Sequence, residues 1–427
     1  MYNKLSIIAY VADKADRGGV SVPYGYNNHN YRGYGGYRPS KYNRNRKKGG
    51  ILSRRMRNRI IIVATGLVVL ALIIALISSC INCVFSSGDE GSTLDTATKS
   101  TATATEKPTE KKVVEISFRE PNIKDNKKAK EGVKSGELFV WNKMAFEMFY
   151  GSSERANIYA KTINSAQKAL GDKVNVYNMI VPTHIEMGLP VRLRNVEGGA
   201  ETNSQADYIK TAYKALNKKV RYINAYNALS AHCNEYIYFG SDHHWTGLGA
   251  YYAYQAFAEE NKMPALPLKD CTENTIDGFT GTFKRMVYED IDNDTVHYWT
   301  LPYEVSDTVT NGNGVTNTYD GPYYRYAGSG DYSYGVFLYG DNPLEVLKSS
   351  SDKAKNKKIA IVHESYGNAI VPYFTYNYKT VYSIDFRSWS GNLKDFCKEN
   401  GVDDVLFVNG VMSSATALQI QAMESIL

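Results

Sequence analysis

The side chains best suited to moving protons stand together in this chain. Seven histidines serve 427 residues, and two of them directly follow a carboxylate in Ser241-Asp242-His243-His244-Trp245-Thr246-Gly247. Histidine titrates closest to neutrality, and a carboxylate can fix its tautomer. An Asp-x-His pair ahead of a helix is therefore half of a general-base device, and what it lacks is a nucleophile. In an extended stretch residues i and i+2 point the same way, so Asp242 and His244 are expected to face one pocket. His243 then packs elsewhere or touches substrate. The plainer alternatives are structural histidines, with Trp245 as packing beneath the loop or as a platform for a sugar. Adjacent histidines rarely turn to one ion, so no metal site is expected from Asp242, His243 and His244.

The nucleophile candidate lies more than a hundred residues later. Lys358–Val362 reads as a buried strand, and His363-Glu364-Ser365-Tyr366-Gly367-Asn368 as the turn from it into a helix. Parallel α/β sheets collect reactive groups at the carboxyl ends of their strands, and free amides at a helix start can receive a developing oxyanion. A serine hydroxyl needs a base beside it. The assembled set is Ser365 as nucleophile, His244 as base and Asp242 as the group that orients it. The backbones of Ser365 and Tyr366 are the nearest oxyanion donors. Asp385 and Arg387 follow another strand end and are expected to pair with each other, with substrate contact by Arg387 as the alternative.

The elements that must position these groups alternate. Helical periodicity covers Ala156–Leu170, Gln205–Leu216, Leu248–Glu259, Tyr366–Tyr373 and Gln419–Leu427; strand patterns cover Val174–Val181, Val220–Ile223, Lys358–Val362, Thr380–Ile384 and Asp404–Val408. Strands alternating with helices favour a parallel, helix-covered sheet. Between about Asp270 and Glu345 the composition turns to Gly, Tyr, Asn, Asp and Thr, which reads as an insertion of loops and short strands. Most of its tyrosines are expected in the core, although aromatic faces on loops also suit sugar stacking.

Residues 241–257 (SDHHWTGLGAYYAYQAF), 363–374 (HESYGNAIVPYF) and 381–387 (VYSIDFR) together resemble the bacterial DHHW family. That family is related to the alginate O-acetylation proteins of the SGNH-hydrolase-like group. Supporting stretches are 177–190 (YNMIVPTHIEMGLP), 278–282 (GFTGT) and 337–347 (FLYGDNPLEVL). The resemblance runs from about Val113 to the C-terminus. It implies an SGNH-hydrolase-like three-layer α/β sandwich around a parallel sheet, with the triad of the alginate proteins falling on Asp242, His244 and Ser365. It also implies further oxyanion donors, for which Gly340 and Asn342 are the counterparts considered. Glu364 departs from the pattern, since DHHW relatives commonly carry Asp there and the alginate proteins Thr.

Charge divides the chain. Net charge is +6, yet residues 1–59 hold fourteen Lys or Arg against two Asp, a local +12 that leaves −6 for the rest. The divider is Ile60–Ile77, which carries no charge and follows Arg54, Arg55, Arg57 and Arg59. It is long enough to span a bilayer, and the arginines place the N-terminus in the cytoplasm. A cleaved signal peptide, and lipoprotein processing at Ile77-Ser78-Ser79-Cys80, are the competing readings of this run. The expected organisation is a disordered basic cytoplasmic tail (1–59), a transmembrane anchor (60–85), a flexible Ser/Thr/Lys linker (86–112) and an extracytoplasmic domain (113–427). In the tail, interleaved Tyr and Arg read as a solvated positive-inside segment, and no nucleic acid is expected. Cys233, Cys271 and Cys397 allow at most one disulfide in the exported part.

The functional expectation is an extracytoplasmic, serine-dependent O-acyltransferase at the bacterial cell membrane. It passes an acyl group, most simply acetyl, to a cell-surface polysaccharide and needs no cofactor. An exported domain has no access to cytoplasmic acetyl-CoA, and the alginate resemblance implies a membrane-bound O-acyltransferase partner as donor. The alternatives are an acetyl esterase on the same substrate and a non-catalytic polysaccharide-binding or assembly protein.

Overall fold

Ile359, Ala360, Ile361 and Val362 are completely buried in consecutive positions, the mark of a strand covered on both faces. In this computed structural model, which describes residues 116–129 and 131–427, that strand runs through the middle of an eight-stranded sheet. In chain order a short meander of β1 (Val133–Ser135), β2 (Leu138–Trp141) and β3 (Met144–Glu147) precedes α1 (Ser153–Leu170) and β4 (Asn175–Val181). There follow α2 (His184–Gly188), α3 (Gln205–Ala215), β5 (Val220–Tyr222), α4 (Ala225–Ala231) and α5 (Gly247–Glu260). A two-stranded ribbon of β6 (Thr272–Phe279) and β7 (Asp294–Thr300) brackets α6 (Thr282–Met286) and leads to β8 (Val305–Thr310) and β9 (Thr316–Asp320). The last part comprises β10 (Leu344–Ser349), β11 (Lys355–His363), α7 (Tyr366–Phe374), β12 (Tyr378–Asp385), α8 (Leu393–Asn400), β13 (Asp404–Gly410), α9 (Val411–Ala415) and α10 (Ala417–Ser425).

The sheet order is β5-β4-β13-β11-β12-β10-β8-β9. From β5 to β12 neighbouring strands are parallel, whereas β10, β8 and β9 join antiparallel. α1 packs against α3, α8, α9 and α10, while α5 packs against α4 and α7, and α7 lies over β11, β12 and β13. The β11 and β12 carboxyl ends, His363 and Asp385, are opposite each other in register. The loops that follow them therefore open at one edge.

The fold is mixed α/β: the expected parallel sheet forms the β5-to-β12 part, and the three antiparallel strands make the whole sheet mixed. The 270–345 segment, expected as loops and short strands, supplies the ribbon and two strands of the main sheet. Its signal was masked at the inward positions. β8 alternates Val305, Asp307 and Val309 inward, and β10 turns Glu345 and Leu347 inward. Carboxylates at core positions break the apolar alternation that marks a strand. Of the insertion's tyrosines, Tyr323 and Tyr334 are core residues, whereas Tyr288, Tyr326 and Tyr332 are exposed. Cys233, Cys271 and Cys397 are all free thiols. The tail, the Ile60–Ile77 run and the linker lie outside the described residues. Among the described residues no helix is long and apolar enough to cross a membrane.

Asp307 and Glu345 share a face, since Asp307 pairs with Leu347 and Val309 with Glu345 across the ladder. Both are buried without a cation, and neither Asp307 carboxyl oxygen has a hydrogen-bond partner among the described residues. Burial pushes the Asp307 carboxyl up to about 7 from an ordinary 3.8. Burial, then the Asp307 charge, raises Glu345 well above its ordinary range. The folded pair retains its proton where the unfolded chain has released it. Its contribution to stability is thus complete below pH about 4 and is lost as pH rises toward 7. Replacing Asp307→Asn should flatten a decline of roughly 1 kcal/mol per pH unit across that window. Urea unfolding midpoints from pH 4 to pH 7.5 measure it; an unchanged slope in the variant would refute the retained-proton account.

Candidate active site

Ser365 sits two residues beyond β11 and caps α7 with helical dihedrals, φ −53° and ψ −19°. Its neighbours hold the turn on both sides. The buried His363 bonds the Glu364 carbonyl through Nδ1 (2.8 Å) and the Ser383 hydroxyl through Nε2 (2.7 Å). The carbonyl can only accept, so Nδ1 carries the proton; burial also lowers the pKa, which keeps this ring neutral. Glu364 is buried too. Its carboxylate accepts the Gly410 N–H from the end of β13 (2.8 Å) and the Tyr366 N–H (3.0 Å), with Ser365 Oγ at 3.3 Å. The serine turn is thereby tied to the neighbouring strand.

The Asp-His-His-Trp loop is built from a different part of the chain. Asp294, the first residue of β7, receives the Gly240 N–H (3.0 Å), the Ser241 N–H (2.7 Å), the Ser241 hydroxyl (2.6 Å) and the Tyr236 hydroxyl (2.6 Å). Tyr238 and Trp245 pair as an isolated bridge, which closes the loop. Thr246 then caps α5 by accepting the Gly249 N–H (3.2 Å), an arrangement worth about 1 kcal/mol. Only glycine fits at 249, where a Cβ would stand 2.4 Å from the Ile237 carbonyl oxygen. Gly281 is equally constrained: a Cβ there would lie 2.4 Å from the Asp242 Cβ.

These two constructions meet. His244 Nε2 is 2.8 Å from Ser365 Oγ, and His244 Nδ1 is 2.6 Å from Asp242 Oδ1. The second Asp242 oxygen accepts the Thr282 N–H at 2.7 Å. Asp242 and His244 share a side for a reason other than extended backbone. The loop bends, and Asp242 Oδ1 accepts the amide two residues on, His244 N–H, at 3.1 Å, as in an Asx turn. Burial works to raise the Asp242 pKa, but the charge and hydrogen bond of His244, the His243 charge and the Thr282 amide hold it far below the ordinary carboxylate range. Tyr334 stacks on the His244 ring at 4.0 Å and 11°, while its hydroxyl donates to the Ser365 carbonyl (3.0 Å). One tyrosine thus braces both partners. A hydroxyl, an imidazole and a buried carboxylate in this line can pass a proton from oxygen to nitrogen and return it.

The remaining candidates fall into place unevenly. His243 is partly open, its side chain 34% exposed, with its ring 3.9 Å from that of His244. Burial and the adjacent His244 lower its pKa. Trp245 is completely buried and donates Nε1–H to the Tyr366 carbonyl (2.9 Å), so it packs beneath the loop and is not a sugar platform. Arg387 pairs with Asp385, as expected, and also with Asp341 (2.9 Å). Gly340 and Asn342 are corrected as oxyanion donors. The Gly340 N–H donates to Phe337, and the Asn342 amide donates to Leu338 and Glu345, because the turn before β10 uses both for its own closure. The Tyr366 N–H is likewise engaged, by Glu364. Ser365 N–H has no partner among the described residues. The ligand atoms of Asp242, His243 and His244 lie within 4.8 Å of one another, yet a cation there would have to break the His244–Asp242 bond. Asp294, Tyr334, Glu364 and Thr282 went unassigned from sequence. For Thr282 a signal existed, because the GFTGT stretch was already singled out.

A family model described as DHHW protein matches residues 113–384. The chain belongs to this family. The Asp242-His243-His244-Trp245 loop lies within the matched residues. Among solved structures, a DHHW family protein from Eubacterium siraeum is similar at 29% identity and a TM-score of 0.64, over 70% of this chain and 98% of that one. Bacillus cereus PatB1 is similar at 18% identity and a TM-score of 0.54, over 67% of this chain and 98% of its own. A second PatB1 structure, with a sulfonyl adduct, has the same identity and TM-score. The PatB1 likeness establishes the fold. A comparison with curated proteins finds no match.

The loop's dependence on Asp294 is testable in this DHHW protein. Asp294→Ala orphans two buried amides and two hydroxyls and should cost about 2–4 kcal/mol. Urea unfolding measures it, and a loss below about 0.5 kcal/mol would mean that the loop is held by other contacts.

Proposed function

We propose that this chain is an SGNH-hydrolase-like serine O-acyltransferase, most simply an O-acetyltransferase, acting on a cell-surface polysaccharide. The observation that carries the reading is the unbroken line Asp242–His244–Ser365, with contacts of 2.6 and 2.8 Å, the second across a sequence gap of 121 residues. The motif resemblance to the alginate O-acetylation proteins supports the acetyl group and the polysaccharide. The finer fold assignment, a three-layer sandwich, is supported by helices that pack as two groups about a sheet whose central strands are buried on both faces.

In this mechanism Ser365 Oγ attacks the acyl carbonyl of a donor ester or thioester as its proton moves to His244 Nε2. The Ser365 N–H faces the oxyanion. The bond to the leaving group breaks, and His244 returns the proton to that group, which leaves an acyl-serine. A polysaccharide hydroxyl then gives its proton to His244 Nε2 and attacks the acyl carbon; the acyl–Oγ bond breaks, and His244 returns the proton to Ser365 Oγ. Asp242 holds the imidazole tautomer and balances its charge throughout. Water in place of the acceptor yields the esterase reaction.

The chain is read as anchored in the bacterial cell membrane by Ile60–Ile77, with its basic tail in the cytoplasm and residues 113–427 outside. The acyl donor then comes from a membrane-bound O-acyltransferase partner. The sheet edge and the buried loops involve no cofactor in this scheme.

Ser365→Ala should lower p-nitrophenyl acetate turnover by about a thousandfold or more, and His244→Ala should do the same. Near-normal turnover in either variant would sink the mechanism. An acceptor-dependent assay separates the outcomes: acetyl appearing on added polysaccharide marks the transferase, and acetate release alone marks the esterase. For the anchor, the full chain should stay with membranes through a carbonate wash. Release into the supernatant would remove the membrane reading while leaving the chemistry intact.

A further inference from the structure

A cleft of about 1050 Å³ opens between the β6–β7 ribbon and the antiparallel edge of the main sheet. None of Asp242, His244 and Ser365 lines it. Its volume lies at or above the upper end of small-ligand sites, which suits an oligomer more than a metabolite. On its wall the side chains of Glu304, Asp320, Arg325 and Lys348 are exposed, and these four, with Tyr298, Ser306 and Tyr323, make no side-chain hydrogen bond or salt bridge among the described residues. Arg325 and Lys348 offer N–H donors only, Glu304 and Asp320 offer acceptors only, and the Tyr298 hydroxyl offers both. The two cations are balanced by the two carboxylates, so the cleft carries no net charge from these groups. An anionic polymer would gain little there, and an apolar ligand would strand the unpaired groups. A neutral ligand dense in hydroxyls, each both donor and acceptor, matches the set. The half-buried Tyr298 ring, 5.2 Å from that of Tyr323, adds a flat surface of the kind a sugar ring covers.

The cleft is also coupled to the Ser365 site through packed rings. Tyr323 meets Phe337 at 6.2 Å, Phe337 meets Tyr334 at 5.3 Å, and Tyr334 stacks on His244 at 4.0 Å. The wall of the cleft and the imidazole are thus joined by a continuous chain of ring contacts, two edge-on and one stacked. A chain seated in the cleft would be held at a fixed distance from the reacting hydroxyl.

We propose that this cleft is a binding site for an uncharged stretch of polysaccharide, separate from the Ser365 site. The inference rests on the polysaccharide substrate proposed above but not on the triad. A glycan held here would contribute to acceptor affinity while a neighbouring stretch reaches Ser365.

The test is affinity electrophoresis of the detergent-solubilised full chain in native gels containing pullulan, glycol chitin or alginate. Running it in the Ser365→Ala background separates the two readings, because binding is then scored without turnover, and ester hydrolysis by the unaltered chain is scored independently. Retardation by a neutral glycan is expected, with loss of that retardation in the Arg325→Ala/Lys348→Ala double variant. Tyr298→Phe, which removes one hydroxyl and little volume, should weaken it and guards against a double variant that misfolds. Retardation in none of the three gels, or neutral-glycan retardation that survives these changes in folded protein, overturns the site. Retardation by alginate alone overturns the uncharged class.

Discussion

A single buried carboxylate organises the edge of this molecule. Asp294 lies in the ribbon, outside the main sheet, and collects two amides and two hydroxyls from the stretch Tyr236–Ser241. It has no salt bridge among the described residues, so those donors are what make its charge tolerable away from water. In return the loop acquires one shape. Ser241, held on both its amide and its hydroxyl, leads directly into Asp242, and Asp242 into the turn that carries His244. Together with the Tyr238–Trp245 bridge, that clamp defines the path of the Asp-His-His-Trp segment.

The serine side uses the same device. Glu364 takes an amide from the end of β13 and an amide from the first turn of α7. Two carboxylates, each satisfied by backbone N–H groups, fix the two loops whose side chains meet. The arrangement has a chemical consequence. A helix start is ordinarily a store of free amides for an anion, but here Glu364 holds the Tyr366 N–H, and the next two amides bond to Glu364 and Ser365 carbonyls. The Ser365 N–H is left as the donor nearest the nucleophile. The Glu364 side chain is what spans to Gly410.

Buried acid groups recur in the antiparallel part of the sheet, where Asp307 and Glu345 face one another's strands and Asn342 bonds Glu345. The turn that carries Asn342 also carries Asp341, which meets both Asn368 on α7 and Arg387 beyond β12. The strands contributed by the insertion therefore reach the site edge through one turn of left-handed backbone at Leu338, Tyr339 and Gly340. The same insertion supplies Asp294, Thr282 and Tyr334. What reads as a Tyr-rich interruption of an α/β pattern is a large part of what surrounds His244.

Local pattern made much of this legible. The parallel strands β4, β11, β12 and β13 announce themselves as apolar runs, α1 and α3 as amphipathic periods, and α5 and α7 as helices after loops that carry chemistry. Ser365, His244 and Asp242 could be grouped because their types and their positions after strand ends or before helices are properties of short segments. Three things were hidden. β8 and β10 carry acids at inward positions, so alternation did not mark them. Asp242 and His244 share a side through a hydrogen-bonded turn that spacing does not reveal. Gly340, Asn342 and Tyr366 are the right residue types for oxyanion donation, but their N–H groups are already committed. The chain by itself determined that the apolar runs become buried strands and the amphipathic periods helices, and which side chains are able to exchange a proton, because these depend on neighbours a few residues away. Tertiary structure alone decided which of those groups meet and which donors stay free. A hydrogen bond between residues 121 apart, or an amide claimed by a carboxylate 46 residues earlier, exists only once the sheet has set the distances.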